Sequence, residues 1–139
     1  MPIGRRSLLS GSSGAVVVPN STASGALRAN AAVAITNVAG NVRIVECSAS
    51  SNGALFHGFC VQDLADGEGP VAITTLRGSI VSPIVKGGGT LVAGSPVFLS
   101  DTLGEVSNTA PNAGVIIEVG PAVSLTAICL APDQRTFIG

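Results

Sequence analysis

Residues 94–132, GSPVFLSDTLGEVSNTAPNAGVIIEVGPAVSLTAICLAP, decide the fold: short β-prone runs alternate with turn residues, and no run carries a helical period. Pro96 opens a strand at Val97-Phe98-Leu99, Asp101 and Gly104 bracket a short hairpin loop, and Glu105-Val106-Ser107 begins the return strand. Gly114 releases Val115 to Val119, Gly120-Pro121 predicts a turn, and Leu125 to Leu130 closes the series. The stretch carries no catalytic motif and reads as a binding or building part.

Outward from it the same texture continues. Residues 54–61 place Leu55, His57, Phe59 and Val61 on one strand face and Phe56, Gly58 and Cys60 on the other. The acidic turn of residues 62–69 leads into a strand at 70–76, and another is expected at 78–85, interrupted by Pro83 at a sheet edge or bend. Gly87-Gly88-Gly89 marks a loop tip. From Ala26 the pattern alternates through Val33/Ile35 and Val42/Ile44, although Ala29 to Ala34 is also compatible with a helical turn. Strands of four to eight residues between Gly/Pro turns, without a convincing amphipathic helix, predict an all-β fold: a small barrel or sandwich of short antiparallel strands.

This order resembles the small capsid decoration, or cement, proteins of tailed bacteriophages. The resemblance runs over roughly residues 54–132 and rests on Gly94-Ser95-Pro96-Val97-Phe98, Gly104-Glu105-Val106-Ser107, Gly114-Val115 and Val71-Ala72-Ile73, a pattern of glycines, prolines and valines. It implies a structural virion protein on the capsid exterior, with the major capsid protein and other copies of itself as partners. It also implies homotrimers at three-fold positions, assembled in the host cytoplasm.

Composition fits a part that is covered by neighbours. The 139 residues suit one domain, with 46% hydrophobic and only 11% charged residues. A typical soluble domain carries about 25% charged residues, so much of this surface is either Ser, Thr, Asn and Gly or buried against other subunits. Four phenylalanines are the only aromatic residues, too few to offer stacking platforms to single-stranded nucleic acid. Every long uncharged run is broken well short of the ~20 apolar residues of a membrane span. Neither nucleic acid nor membrane is expected as a partner. The three cysteines, Cys47, Cys60 and Cys129, are odd in number and irregularly spaced, which suits buried thiols in a reducing compartment.

Residues 1–26 read as an extended amino-terminal arm on a β domain of residues 27–139. Arg5-Arg6 followed by an uncharged segment raises the question of an export signal, but Ser10 to Gly14 and Pro19-Asn20 break its apolar pieces. Residues 1–45 carry a net +4 and residues 46–139 a net −5, so the arm is suited to an acidic surface. A small strand is expected at residues 15–18. Leu8, Leu9, Val16, Val17 and Val18 are the candidates for docking in partner grooves, with Arg5 and Arg6 meeting acidic groups.

Chemistry offers little to set against this. His57 is the only histidine, and Cys60 lies an odd number of residues away, which on a strand puts the two on opposite faces. The formal set Cys47, His57, Cys60 and Cys129 lacks the close pairing of a structural zinc site. Asp63, Asp66 and Glu68 lack the ligand order of a calcium loop. No catalytic, cofactor or metal residue is assigned. The alternative readings are a tail, neck or fibre-base component, a small hydrolase using His57 or Cys60, and a secreted adhesion module.

Overall fold

The computed structural model describes residues 14–50 and 55–137. Twelve strands follow one another: β1 (Ala15–Val18), β2 (Ser21–Ala23), β3 (Ala32–Val38), β4 (Asn41–Glu46), β5 (Gly58–Cys60), β6 (Val71–Thr74), β7 (Ile80–Val81), β8 (Pro96–Leu99), β9 (Val106–Ser107), β10 (Val115–Pro121), β11 (Ile128–Cys129) and β12 (Asp133–Phe137). A 3₁₀ turn at Lys86–Gly88 is the only helical element among the described residues. The fold is all-β, as expected.

The strands form three sheets. Six make the order β1-β6-β5-β3-β4-β2, four make β12-β10-β8-β9, and β11 pairs with β7. Of the two architectures expected, the sheets match a sandwich; no ladder among the described residues closes a barrel. Pairing is antiparallel with one departure, since β2 runs parallel to β4 with Thr22 opposite Arg43.

Two cores follow from the alternation of side chains. On β3, Ala32 and Ala34 enter the core between the six-stranded sheet and the two smaller ones, where they meet Phe59, Leu91, Val97, Leu99, Val106, Ile117, Val119, Ile128 and Leu130. Val33 points the other way, into a second core with Ala23, Leu27, Ile44, Cys60, Val71 and Ile73. A strand buried on both faces needs a continuous apolar run, which Ala32-Val33-Ala34-Ile35 supplies. Each fully buried Val, Leu, Ile or Phe contributes roughly 1.5–3 kcal/mol over leaving it exposed. Phe59 is the largest buried side chain, and Phe56 packs edge-on against it with ring centroids 5.1 Å apart.

The expected boundary of the arm at residue 26 differs from the described chain. Residues 15–18 do form a strand, but β1 pairs with β6, with Val16 opposite Ile73 and Val18 opposite Val71. Pro19 and Asn20, the latter at φ 56°, turn the chain into β2 at the opposite edge of the same sheet. The Ser21 hydroxyl accepts the Val71 N–H at 2.9 Å and donates to the Val18 carbonyl at 2.7 Å, stitching both edges together. Ala23 is fully buried. A run of three valines has a partner strand to complete, and that outweighs the Ser/Gly composition around it.

A second difference lies at Gly120-Pro121, read as a turn. The chain stays extended there: β10 continues through Pro121, with a register shift against β8 between Glu118 and Gly120. Gly120 has φ 144°, and a Cβ on it would collide with the Cys129 carbonyl oxygen. The glycine is there because β11 approaches too closely for a side chain. The expected strand at 78–85 shortens to Ile80–Val81, with Pro83 just past its end.

Candidate functional site

Most of the charge is spent inside the fold. Arg28 reaches from the loop before β3 to Glu46 at the end of β4, with Nη2 to Oε1 at 2.8 Å and Nε to Oε2 at 3.2 Å. The same guanidinium donates to Glu105 at 3.3 Å and to the Leu103 carbonyl at 2.8 Å, joining the six-stranded sheet to the β8–β9 hairpin. The carboxylates beside it, Glu46 foremost, raise the Arg28 pKa further above its ordinary value. Across the same junction the Ala32 N–H donates to the Gly104 carbonyl and the Gly104 N–H to the Cys47 carbonyl.

The acidic turn is equally occupied. Asp63 accepts the Ala29 N–H at 2.8 Å, Asp66 accepts the Gly25 N–H at 2.8 Å and Arg43 Nη2 at 3.3 Å, and Glu68 accepts the Ala65 N–H at 2.7 Å. Leu27 and Leu64 exchange two main-chain bonds in the same region. Asp63 and Asp66 fasten residues 23–30 to residues 61–69, a role the sequence reading missed, while Glu68 closes the loop on itself. The signal available was three acids in six residues facing a segment whose only charge is Arg28. At the β8–β9 hairpin Lys86 pairs with Asp101 at 2.6 Å and holds that carboxyl below its usual range. The pair lines a shallow open polar cleft of about 80 Å³ with Ser100, Ser107, Thr109 and Asn112.

Apolar side chains also remain outside. Among the described residues eleven large hydrophobic side chains, including Val16, Val17, Leu76, Ile80, Val92, Val123 and Leu125, are 44% to 63% exposed. Three of these lie on two neighbouring segments: the Leu91 N–H donates to the Leu125 carbonyl and the Gly94 N–H to the Ala122 carbonyl, which joins the segment of Val92 to that of Val123 and Leu125.

Of the residues singled out for partner binding, Arg5, Arg6, Leu8 and Leu9 lie outside the described residues. Val16 and Val17 are exposed on the edge strand β1, whereas Val18 is partly buried and packs against the second core.

The side chains weighed for catalysis have structural partners. His57 Nδ1 accepts the Ile35 N–H at 3.0 Å, and partial burial lowers the imidazole pKa. Cys60 is buried and its thiol donates to the Gln62 carbonyl at 3.1 Å, while burial raises its pKa. Burial pushes the Cys47 thiol up to about 12. Protonated thiols in apolar surroundings are poor nucleophiles and poor metal ligands. Among the described residues no group of three or more His, Cys, Asp or Glu side chains is placed to hold a metal ion. No helix there is long and apolar enough to cross a membrane.

No protein-family model, no curated protein and no solved structure matches the chain.

Proposed function

We propose that this protein is a structural component of a bacteriophage virion that binds the outer surface of the capsid and stabilises it. The observation that carries the reading is the apolar surface: large Val, Leu and Ile side chains stand exposed while most carboxylates are engaged within the fold. Such a surface is favourable when neighbours cover it, and burial of apolar area is the main driving term in association. The glycine, proline and valine pattern of residues 54–132 supports the same reading. The partners are the major capsid protein and other copies of the chain, as a homotrimer. Many copies on one shell make the attachment multivalent, so modest contacts per copy suffice. Arg5 and Arg6 add an electrostatic share that weakens as salt rises, whereas the apolar share persists.

The test is decoration in vitro. Purified protein mixed with undecorated capsids is expected to cover their outer surface in electron micrographs, and the double variant Val92→Asp/Leu125→Asp is expected to bind less. Bare capsids under accessible conditions overturn the proposal. Immunogold labelling confined to the tail of intact particles assigns the protein to a tail, neck or fibre-base component instead.

A further inference from the structure

β1 ends the six-stranded sheet, and its ladder to β6 fixes which of its backbone groups face inward. The Thr75 N–H donates to the Gly14 carbonyl, the Val18 carbonyl accepts the Ser21 hydroxyl that itself takes the Val71 N–H, and Val16 stands between them opposite Ile73. Bonds alternate along an antiparallel ladder, so Gly14, Val16 and Val18 bond inward and the N–H and C=O groups of Ala15 and Val17 point out of the sheet. No described residue meets them. Natural sheet edges are blunted by charge, proline or a bulge. β1 is one alanine and three valines in unbroken register.

The edge is complementary to itself. Val16 shares the sheet face of Ile73, which is 1% exposed, and of Val18, which packs on the second core, yet Val16 is 50% exposed. When two copies of the strand pair antiparallel about a two-fold axis, setting Ala15 opposite the second copy's Val17 pairs every outward N–H with an outward carbonyl. Setting Val17 opposite Val17 instead places Ala15 against Pro19, which has no N–H to give. The first register puts Val16 directly against the second copy's Val16 on the core face, as a non-hydrogen-bonded pair, the kind with the closer side chains. The half-open valine is then covered by its own counterpart.

Charge agrees with this orientation. Arg77 follows β6 at the end where β1 begins; it donates to the Pro132 carbonyl and meets no carboxylate among the described residues. Asp66 and Glu68, both exposed, precede β6 at the end where β1 finishes. Antiparallel pairing sets the Arg77 end of each copy beside the acidic end of the other. The two β6 strands are then three strand spacings, about 14 Å, apart, so these charges steer the approach rather than form ion pairs.

We propose that two copies of the chain join through β1, antiparallel about a two-fold axis at Val16, so that their six-stranded sheets become one. The inference goes beyond the proposed function and is independent of it, because it concerns the isolated protein. Whatever assembly the rest of the surface makes, each copy keeps one such edge.

The test compares the full chain with Val17→Pro, which deletes an outward N–H and no bond of the ladder to β6, and with Val17→Lys, which keeps every backbone group and adds a charge at the edge. Light scattering at the same high micromolar concentration is expected to give the unaltered chain about twice the mass of either variant, or more. Amide hydrogen exchange at Ala15 and residue 17 is expected to be about tenfold or more better protected in the unaltered chain than in Val17→Lys, while the inward-bonded Val16 amide changes little. If Val17→Pro does not fold, Val17→Lys carries the comparison. Equal masses for the unaltered chain and Val17→Lys overturn the proposal. Unprotected Ala15 and Val17 at every concentration also overturn it, as does protection that survives in Val17→Lys, which assigns the cover to the chain itself.

Discussion

The six-stranded and four-stranded sheets are joined to their surroundings by two kinds of contact, side-chain staples and close backbone approach at glycine, and the first sheet is the richer in staples. Around the first, Asp63, Asp66 and Glu68 cap main-chain N–H groups of residues 25, 29 and 65, and Ser21 bridges two strands through its hydroxyl. Backbone also lies directly against backbone at both sheets: around the first, a Cβ on Gly69 would collide with the Ser21 carbonyl and one on Gly58 with the Thr74 carbonyl; around the second, two more glycines do the same. Gly114, at φ 90°, sits where a Cβ would collide with the Ala49 carbonyl, and Gly120 does the same against Cys129. Side-chain staples are soft, since a lost carboxylate leaves an N–H that water can reach. Close backbone contacts are hard, because nothing flexible stands between the two chains.

This difference sets the order of mutational effects. Gly120→Ala meets both a left-handed φ and a carbonyl, and is expected to cost about 3 kcal/mol or more in urea unfolding. Gly40→Ala is its control: φ is 86° but nothing lies within 4 Å, so only the backbone strain of about 1 kcal/mol is expected. Equal losses at the two positions would show that β11 moves aside and that the contact is not rigid.

The staples should cost less. Asp66→Ala removes the acceptor of the Gly25 N–H and a partner of Arg43 in one step, with an expected loss of about 1 kcal/mol. Faster exchange confined to the amides of residues 23–30 would locate the effect. Arg28→Ala tests the junction between the sheets; its side chain is 45% exposed, so solvent screening holds the loss to about 1 kcal/mol. The same substitution combined with Glu105→Ala should lose little more than Arg28→Ala alone, because removing Arg28 already removes the bond to Glu105.

The smallest effect is a pH dependence. Protonating His57 on Nδ1 breaks its bond from Ile35, and partial burial already lowers its pKa in the folded chain. The unfolded chain therefore takes up the proton first as pH falls. The contribution of His57 is complete above the ordinary imidazole value of ~6.5 and declines below it until the folded form is protonated too. His57→Gln should flatten this part of the stability profile between pH 7 and 5.

The comparison of the two sheets also explains which parts of the fold were legible in the residues. The β8–β9 hairpin follows from Pro96, Asp101 and Gly104, since local turn chemistry and β-branched runs act over a few positions, and the structure pairs Leu99 with Val106 as that reading requires. Gly120 was misread because a glycine at a turn and a glycine at a close approach look alike until the neighbouring chain is in place. Asp63 and Asp66 looked like part of a solvated turn for the same reason: the main-chain N–H groups they accept lie 34 and 41 residues away at Ala29 and Gly25.

Sequence alone determined the all-β class, the short strands and most turn positions, because these depend on backbone preferences and side-chain alternation within each segment. Tertiary structure alone decided that residues 15–23 supply both edges of one sheet, that β2 runs parallel to β4, and that Val18 turns inward while Val16 and Val17 stay exposed. Those outcomes rest on which distant strand offers a free edge, a property of the assembled sheet that no local pattern encodes.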